Sequence, residues 1–332
     1  MQNKNSTGIT DSFLVDFIDG QAPKITLSKK PIAYNTEDKF FWRHMDYQNP
    51  EAKKILTKHY GISSDVAEAL CDISTRPRYF HHKKGIVLIL RGINYNPNAA
   101  MEDMVSLRVW VEQNKIITLS HNSLKAVSDL RELISSAEGL PTSPMQLFLL
   151  LAQNMSDSIN DTIIDMLDET ADVEEKILDA DSLSDLNLRD KISNMRRDII
   201  AIRRYAAPQR EIFIQLQNDK WDALTEEDRE DIREIYNDIT KAVEDLDYCR
   251  EQMSVFSEEM QSKVSISMTR IMYTISLVTV IFTPLTMLTG LLGMNVEGIP
   301  YAEKPYAFAT VCAVMLILCG MLVFLMKRLK WL

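Results

Sequence analysis

The chain has 332 residues, with 37 Lys and Arg against 47 Asp and Glu, and a net charge of −10. That balance excludes a protein held to nucleic acid by bulk positive charge and suits one that handles cations. Four cysteines (Cys71, Cys249, Cys312, Cys319) lack the paired spacing of a disulfide framework or a zinc ribbon, which points to a reducing compartment for the soluble part.

The opening MQNKNSTGITDSFL has no basic stretch followed by an apolar one, so no cleaved signal peptide is expected. Residues 1–123 read as a mixed α/β domain, with strands at 12–18, 40–47, 85–93, 106–112 and 115–120. VWVEQNKIITL reads as a hairpin turning at Gln113–Asn114. Short helices fit at 50–59 and 63–72, the latter capped by Ser63 or Ser64. Residues 124–224 turn helical, with helices expected at 124–137, 143–180 and 182–206, and Pro208 opening a further short helix. Within this layer, 156–190 carries twelve acidic residues against two basic ones. We read it as a solvated face, with a weak cation-collecting surface as the alternative. Lys191, Arg196, Arg197, Arg203, Arg204 and Arg210 follow, able to pair with those acids within the domain or between subunits.

Residues 225–292 read as one helix, about 100 Å long at ~1.5 Å per residue. Thr225-Glu226-Glu227-Asp228 resembles a capping box, and no Pro or Gly follows until Pro284. Its first half carries an apolar seam in alternating steps of three and four: Ile232, Ile235, Ile239, Ala242, Leu246, Cys249, Met253, Phe256 and Met260. This seam is expected to pack on the chain's own helical layer. Its second half has no charge from Ile271 to Val296, longer than the ~20 residues that cross a bilayer. A second span is expected at 306–326, after a loop at 293–305 and before a basic tail at 327–332. Lys263, Arg270 and the tail place both termini in the cytoplasm.

The first span (271–292) bears a stripe of small and polar residues: Thr269, Met272, Ser276, Thr279, Thr283, Thr286, Gly290 and Gly293. The same register carried backward passes through Glu258, Glu251 and Glu244, an acidic stalk face about 200° from the seam on an ideal helix. Two readings stand. The hydroxyls line a water path, or they bond back to their own helix and pack against the second span. Two spans cannot enclose water, so a path requires several copies around an axis, where hydroxyl and carbonyl rings can replace part of a cation's hydration shell. Pro284 frees a carbonyl near Val280, and Gly290 and Gly293 let backbones approach closely.

His81 and His82 are adjacent and would point to opposite faces of an extended chain, which makes them surface residues rather than a fixed metal site. His44 and Asp46 could share a strand face, with a structural role expected. The chain carries no phosphate-binding glycine loop and no nucleophile motif, so neither an enzyme nor a cofactor is expected. The reading from another class is a membrane-anchored scaffold or metal sensor without transport. A weaker one is a tethered hydrolase.

Gly293-Met294-Asn295, placed after a first C-terminal span and before a short loop, a second span and KRLKWL, resembles the signature of the CorA superfamily of divalent-cation transporters. FWRHMDY, TRPRYF, GIVLILRGINYNP, EDMVSLRVWV, IRRYAAPQR and IFTPLTMLTGLLGMNVEGIP are similar to its ZntB-type zinc branch, and the resemblance covers 38–332. VEGIP lies closer to that branch's VGGIP than to the FxFMPE pattern of magnesium-type members. The resemblance implies a CorA-like funnel. It would be a homopentamer in the bacterial inner membrane, with an α/β cytoplasmic domain, a stalk helix continuing into the pore and an outer second span. It further implies Zn2+ uptake driven by a proton gradient, where magnesium-type members behave as gated channels. Gly293, Met294 and Asn295 would then shape the periplasmic entrance around a hydrated or partly hydrated cation. Thr269 stands where the family commonly has Asn, and Glu297 replaces a small residue, adding carboxylates that would favour Mg2+ or Co2+ as readily as Zn2+, with Ni2+ and Cd2+ as further candidate cargo.

Overall fold

The computed structural model describes residues 11–18, 21–28, 30, 39–73, 76–100, 103–136, 140–179, 186–294, 304–329 and 331. These form two compact units, Met1–Ser257 and Glu258–Leu332.

In the first unit the strands are β1 (Phe13–Phe17), β2 (Lys24–Leu27), β3 (Phe40–Met45), β4 (Arg78–His82), β5 (Gly85–Gly92), β6 (Val105–Glu112) and β7 (Lys115–Leu119). They make one sheet in the order β2-β1-β3-β7-β6-β5-β4. The β3–β7 pair is parallel and every other pair is antiparallel. Helices α1 (Ala52–Lys58) and α2 (Ser64–Cys71), with Ile62 of the link between them, bury Leu56, Ile62 and Leu70 against Val87, Ile89, Trp110 and Ile117. Helices α3 (Lys125–Ser136), α4 (Pro144–Leu178) and α5 (Leu186–Gln217) follow, and α4 lies against β3, β5, β6 and β7. With both faces covered, β5 reads as a near-continuous apolar run, and β6 buries even Ser106 and Arg108 of its alternate positions. The hairpin turns at Gln113–Asn114 as expected, with Glu112 facing Lys115. The α2 cap is Ser63, whose hydroxyl accepts from the Val66 amide.

Two features depart from the expectation. Strands β2 and β4, the sheet's two edges, were not foreseen. Each pairs on one side and keeps exposed positions, so neither carries the apolar run that marks a central strand. Pro208 opens no new helix, because α5 runs through it. An interior proline costs about 3 kcal/mol and deprives the carbonyl four residues back, that of Arg204, of its donor. Burial of Ile202, Ala206, Ile212 and Phe213 around it outweighs that local preference.

Helix α6 (Glu226–Leu292) is the longest element. It opens on a reciprocal cap: the Thr225 amide and hydroxyl donate to Asp228 Oδ2 at 2.9 and 2.8 Å, and the Asp228 amide donates back to Thr225 Oγ1 at 3.1 Å. In the first unit its seam is buried from Ile232 through Phe256. Gln153 Nε2 on α4 donates to Asp238, and Arg203 on α5 grips both Asp247 oxygens, fixing that face against the helical layer. Positions 234, 237, 241, 244, 248, 251 and 255 form the exposed side. Leu246→Ala should therefore cost about 2–5 kcal/mol, while Glu244→Ala, two residues away, stays within about 0.5 kcal/mol. Urea unfolding of the full chain in detergent measures both.

Candidate functional site

The second unit holds the end of α6 and α7 (Ala307–Arg328), both long and apolar enough to cross a membrane. The half-covered positions fall on one side of each helix, among them Leu277, Ile281, Pro284, Leu285 and Leu288 on α6 and Val311, Met315, Leu318 and Leu322 on α7, where Met326 on the same side is buried. These are the faces that two helices lying side by side hide from each other. The Tyr273 hydroxyl donates to the Trp331 carbonyl at 2.6 Å, clasping the segment after α7 to α6.

The stripe lies elsewhere. Thr269, Met272, Ser276, Thr279, Thr283, Thr286, Gly290 and Gly293 are all exposed, Met272 to 68%. At 100° per residue their mean direction is roughly 180° from that of Leu277, Ile281 and Leu288. A Cβ on Gly290 would meet nothing within 4 Å. Thr269, Ser276, Thr279 and Thr286 each donate their hydroxyl proton to the carbonyl four residues back, at 2.8–2.9 Å. These hydroxyls thus bond to their own helix, and the stripe stands away from its half-covered side. A hydroxyl has one proton and two lone pairs. With the proton turned inward, the oxygens present acceptors outward, the polarity a cation requires.

At its C-terminal end α6 stops at Leu292, and the Gly293 amide donates to the Thr289 carbonyl at 2.9 Å. A Cβ on Gly293 would sit 2.9 Å from that same oxygen, so this closing turn excludes other residues. Met294 is 47% exposed. Asn295 and Glu297 lie outside the described residues. Glu244 and Glu251 in the first unit, and Glu258 in the second, are exposed. On α4 the acids Asp157, Asp161, Asp165, Asp168 and Glu169 are exposed too, a solvated face, with Lys191 3.9 Å from Glu169. Among the described residues no three His, Cys, Asp or Glu side chains converge as a metal site.

The histidines have separate tasks. His81 lies 3.6 Å from Asp219 and His82 lies 3.1 Å from the Ser63 hydroxyl, on opposite faces of β4. His44 does not join Asp46. Strand β3 ends at Met45, alternation stops there, and Asp46 instead accepts from His121 at 3.1 Å. His44 is wholly buried: Trp42 Nε1 donates to Thr118 Oγ1 (2.8 Å), which sits 2.7 Å from His44 Nδ1. His44 Nε2 is 3.4 Å from Ser120 Oγ, and that hydroxyl donates to the Asn122 carbonyl. Every proton has one place in this chain when His44 is neutral. Burial, reinforced by the charges of Arg43 and Arg131, pushes its pKa down to about 3.

Residues 37–328 match the family described as CorA-like Mg2+ transporter protein. The chain belongs to the CorA family. The divalent cation transporter CmaX of Pseudomonas aeruginosa is 35% identical over 295 residues, 88% of this chain and 87% of its own. The zinc transport protein ZntB of Pectobacterium atrosepticum is 31% identical over 291 residues, 88% of each chain. Among solved structures, full-length CmaX superposes with a TM-score of 0.80 at 31% identity, covering 99% of this chain and 100% of its own. The CorA magnesium transporter of Methanocaldococcus jannaschii shares the fold, with a TM-score of 0.82 at 22% identity over 97% of this chain and 99% of its own. As a CorA protein the chain is a divalent-cation transporter and not an enzyme.

Neutral burial of His44 has a pH signature. Its folded pKa lies below the ordinary 6.5, so its contribution is complete above pH 6.5 and is lost as pH falls toward 3, at up to about 1.4 kcal/mol per pH unit. His44→Asn should be less stable than the parent at pH 7.5 yet lose less of its melting temperature between pH 6.5 and 4.5. Parallel losses in the two proteins would contradict this.

Proposed function

We propose that this chain carries a divalent metal ion, Zn2+ first, across the bacterial inner membrane through a homopentamer, with both termini cytoplasmic and uptake stimulated by a proton gradient. The observation that carries the reading is the exposure of the α6 stripe on the side away from the α7-facing residues. A row of oxygen acceptors has no partner in lipid, and symmetric copies can turn such rows toward a common axis. There Thr269, Met272, Ser276, Thr279, Thr283, Thr286 and Gly290 line the path. Hydroxyl oxygens exchange with part of the ion's hydration shell without holding it too tightly to leave. Gly293, Met294, Asn295 and Glu297 form the periplasmic entrance. Glu244, Glu251 and Glu258 give the cytoplasmic side an acidic face, which lowers the energy of cations there. No resident cofactor is required, since the metal ion and the proton are cargo.

The similarity to proteins named zinc transport protein ZntB supports Zn2+. A second reading, a CorA-type channel for Mg2+, Co2+ or Ni2+, is favoured by Glu297, because a ring of carboxylates suits hard cations. Cd2+, with the same charge and filled d shell, would accompany Zn2+.

Flux into liposomes holding the purified full chain tests both readings, with Zn2+, Mg2+, Co2+, Ni2+ and Cd2+ offered with and without an inward proton gradient. Zn2+ entry enhanced by the gradient is expected. Thr283→Leu and Asn295→Ala should each lower it by at least about tenfold. Entry of no divalent ion, or unchanged flux in both variants, would overturn the pore. Mg2+ flux indifferent to the gradient would favour the channel.

A further inference from the structure

Two neighbouring turns of the sheet, Lys83–Lys84 between β4 and β5 and Gln113–Asn114 between β6 and β7, face the connector from α5 to α6 across a cleft of about 740 Å³. His81, Lys83, Lys84, Lys220 and Trp221 contribute to its lining. Its acids are Glu112 and Asp222. The Glu112 carboxylate is already engaged, 2.9 Å from Lys115 Nζ. None of the ion pairs among the described residues includes Lys83, Lys84 or Lys220. In a chain of net charge −10, three such ammonium groups around one concavity repel each other, and an anion between them relieves that repulsion.

The cleft is held in shape. Asp219 ties the connector to β4: its carboxylate accepts from the Tyr79 hydroxyl and from the Trp221 amide (2.8 Å), and its Oδ1 lies 3.6 Å from His81 Nδ1. Its carbonyl accepts from Arg229 on α6 at 2.9 Å. The half-buried Trp221 ring stands edge-on to His81, with centroids 6.2 Å apart. Across the cleft Lys83 keeps a φ of 54°, a left-handed conformation that a lysine adopts only against its preference. Lys220 and Trp221 are thus positioned opposite the lysine turn, giving a cationic wall and an aromatic surface within one cavity.

We propose that this cleft binds a nucleoside polyphosphate, with Lys83, Lys84, Lys220 and His81 around the phosphates and Trp221 against the base. The two elements make different demands. Ammonium groups attract phosphate whatever is attached to it, whereas stacking on an indole requires the ring. A nucleotide satisfies both, tripolyphosphate only the first and adenosine only the second.

Isothermal titration of the full chain in detergent with ATP, tripolyphosphate and adenosine tests this. Saturable ATP binding is expected, with tripolyphosphate and adenosine each at least about tenfold weaker. Lys83→Ala/Lys84→Ala should weaken ATP by at least about tenfold, or about 1.4 kcal/mol. These lysines are exposed and outside the core, so the variant keeps its fold. Trp221→Leu should reduce ATP affinity to that of tripolyphosphate, and Trp221→Phe should restore most of it. Absence of saturable ATP binding up to about 10 mM, or equal binding by the parent and the lysine variant, overturns the site. Tripolyphosphate binding as tightly as ATP, with Trp221→Leu unchanged, overturns the nucleotide assignment.

Discussion

A hydroxyl-bearing face on a membrane helix has three ways to satisfy its polarity: its own backbone, a polar neighbour or water. On α6 the first way uses the protons and leaves the oxygens. Thr269, Ser276, Thr279 and Thr286 all donate inward to the preceding turn. What faces outward is a column of acceptors, which other hydroxyls already donating to their own backbones satisfy poorly. In the proposed pore, a cation with its water is the matching partner. The aliphatic residues toward α7 stand on the other side of the helix, where dispersion and burial are sufficient. The proposed assembly around an axis would take this acceptor column away from lipid, where a lone helical hairpin leaves it.

The soluble unit obeys the same rule under different conditions. Its part of α6 buries a seam of Ile, Leu, Cys, Met and Phe and leaves the opposite side to solvent. One buried polar run there is matched proton by proton, from Trp42 through Thr118, His44 and Ser120 to the Asn122 carbonyl. Asp219 acts likewise at the start of α6, joining Tyr79, Trp221 and His81 around one carboxylate.

What could be read from the sequence was periodic or local. Steps of three and four placed the seam and the stripe on different faces of one helix. Thr225 and Asp228 marked its start because a cap needs residues only three apart, and Gln113–Asn114 marked the hairpin for the same reason. The misses share a cause too. Edge strands β2 and β4 lack apolar runs because half of each strand's environment is solvent. Pro208 was read by its local preference, which burial of Phe213 and Ile212 overrides. Asp46 finds His121, 75 residues away, and Asp219 finds Tyr79, 140 residues away, separations at which no spacing rule applies. The expectation at Asn295 and Glu297 rests on the family resemblance, since no periodicity singles them out.

Cysteine accessibility along α6 in a bilayer tests the central claim most directly. In a background with Cys312→Ser and Cys319→Ser, single cysteines replace Ser276, Thr279 and Thr283 on the stripe, Leu277 and Ile281 on the α7-facing side, and Phe282 as an exposed position off the stripe. A water-soluble thiol reagent should modify the stripe positions at least about tenfold faster than the other three, since the thiolate forms only where water reaches it. Equal rates at Thr279, Ile281 and Phe282 would contradict a water-filled path along this face.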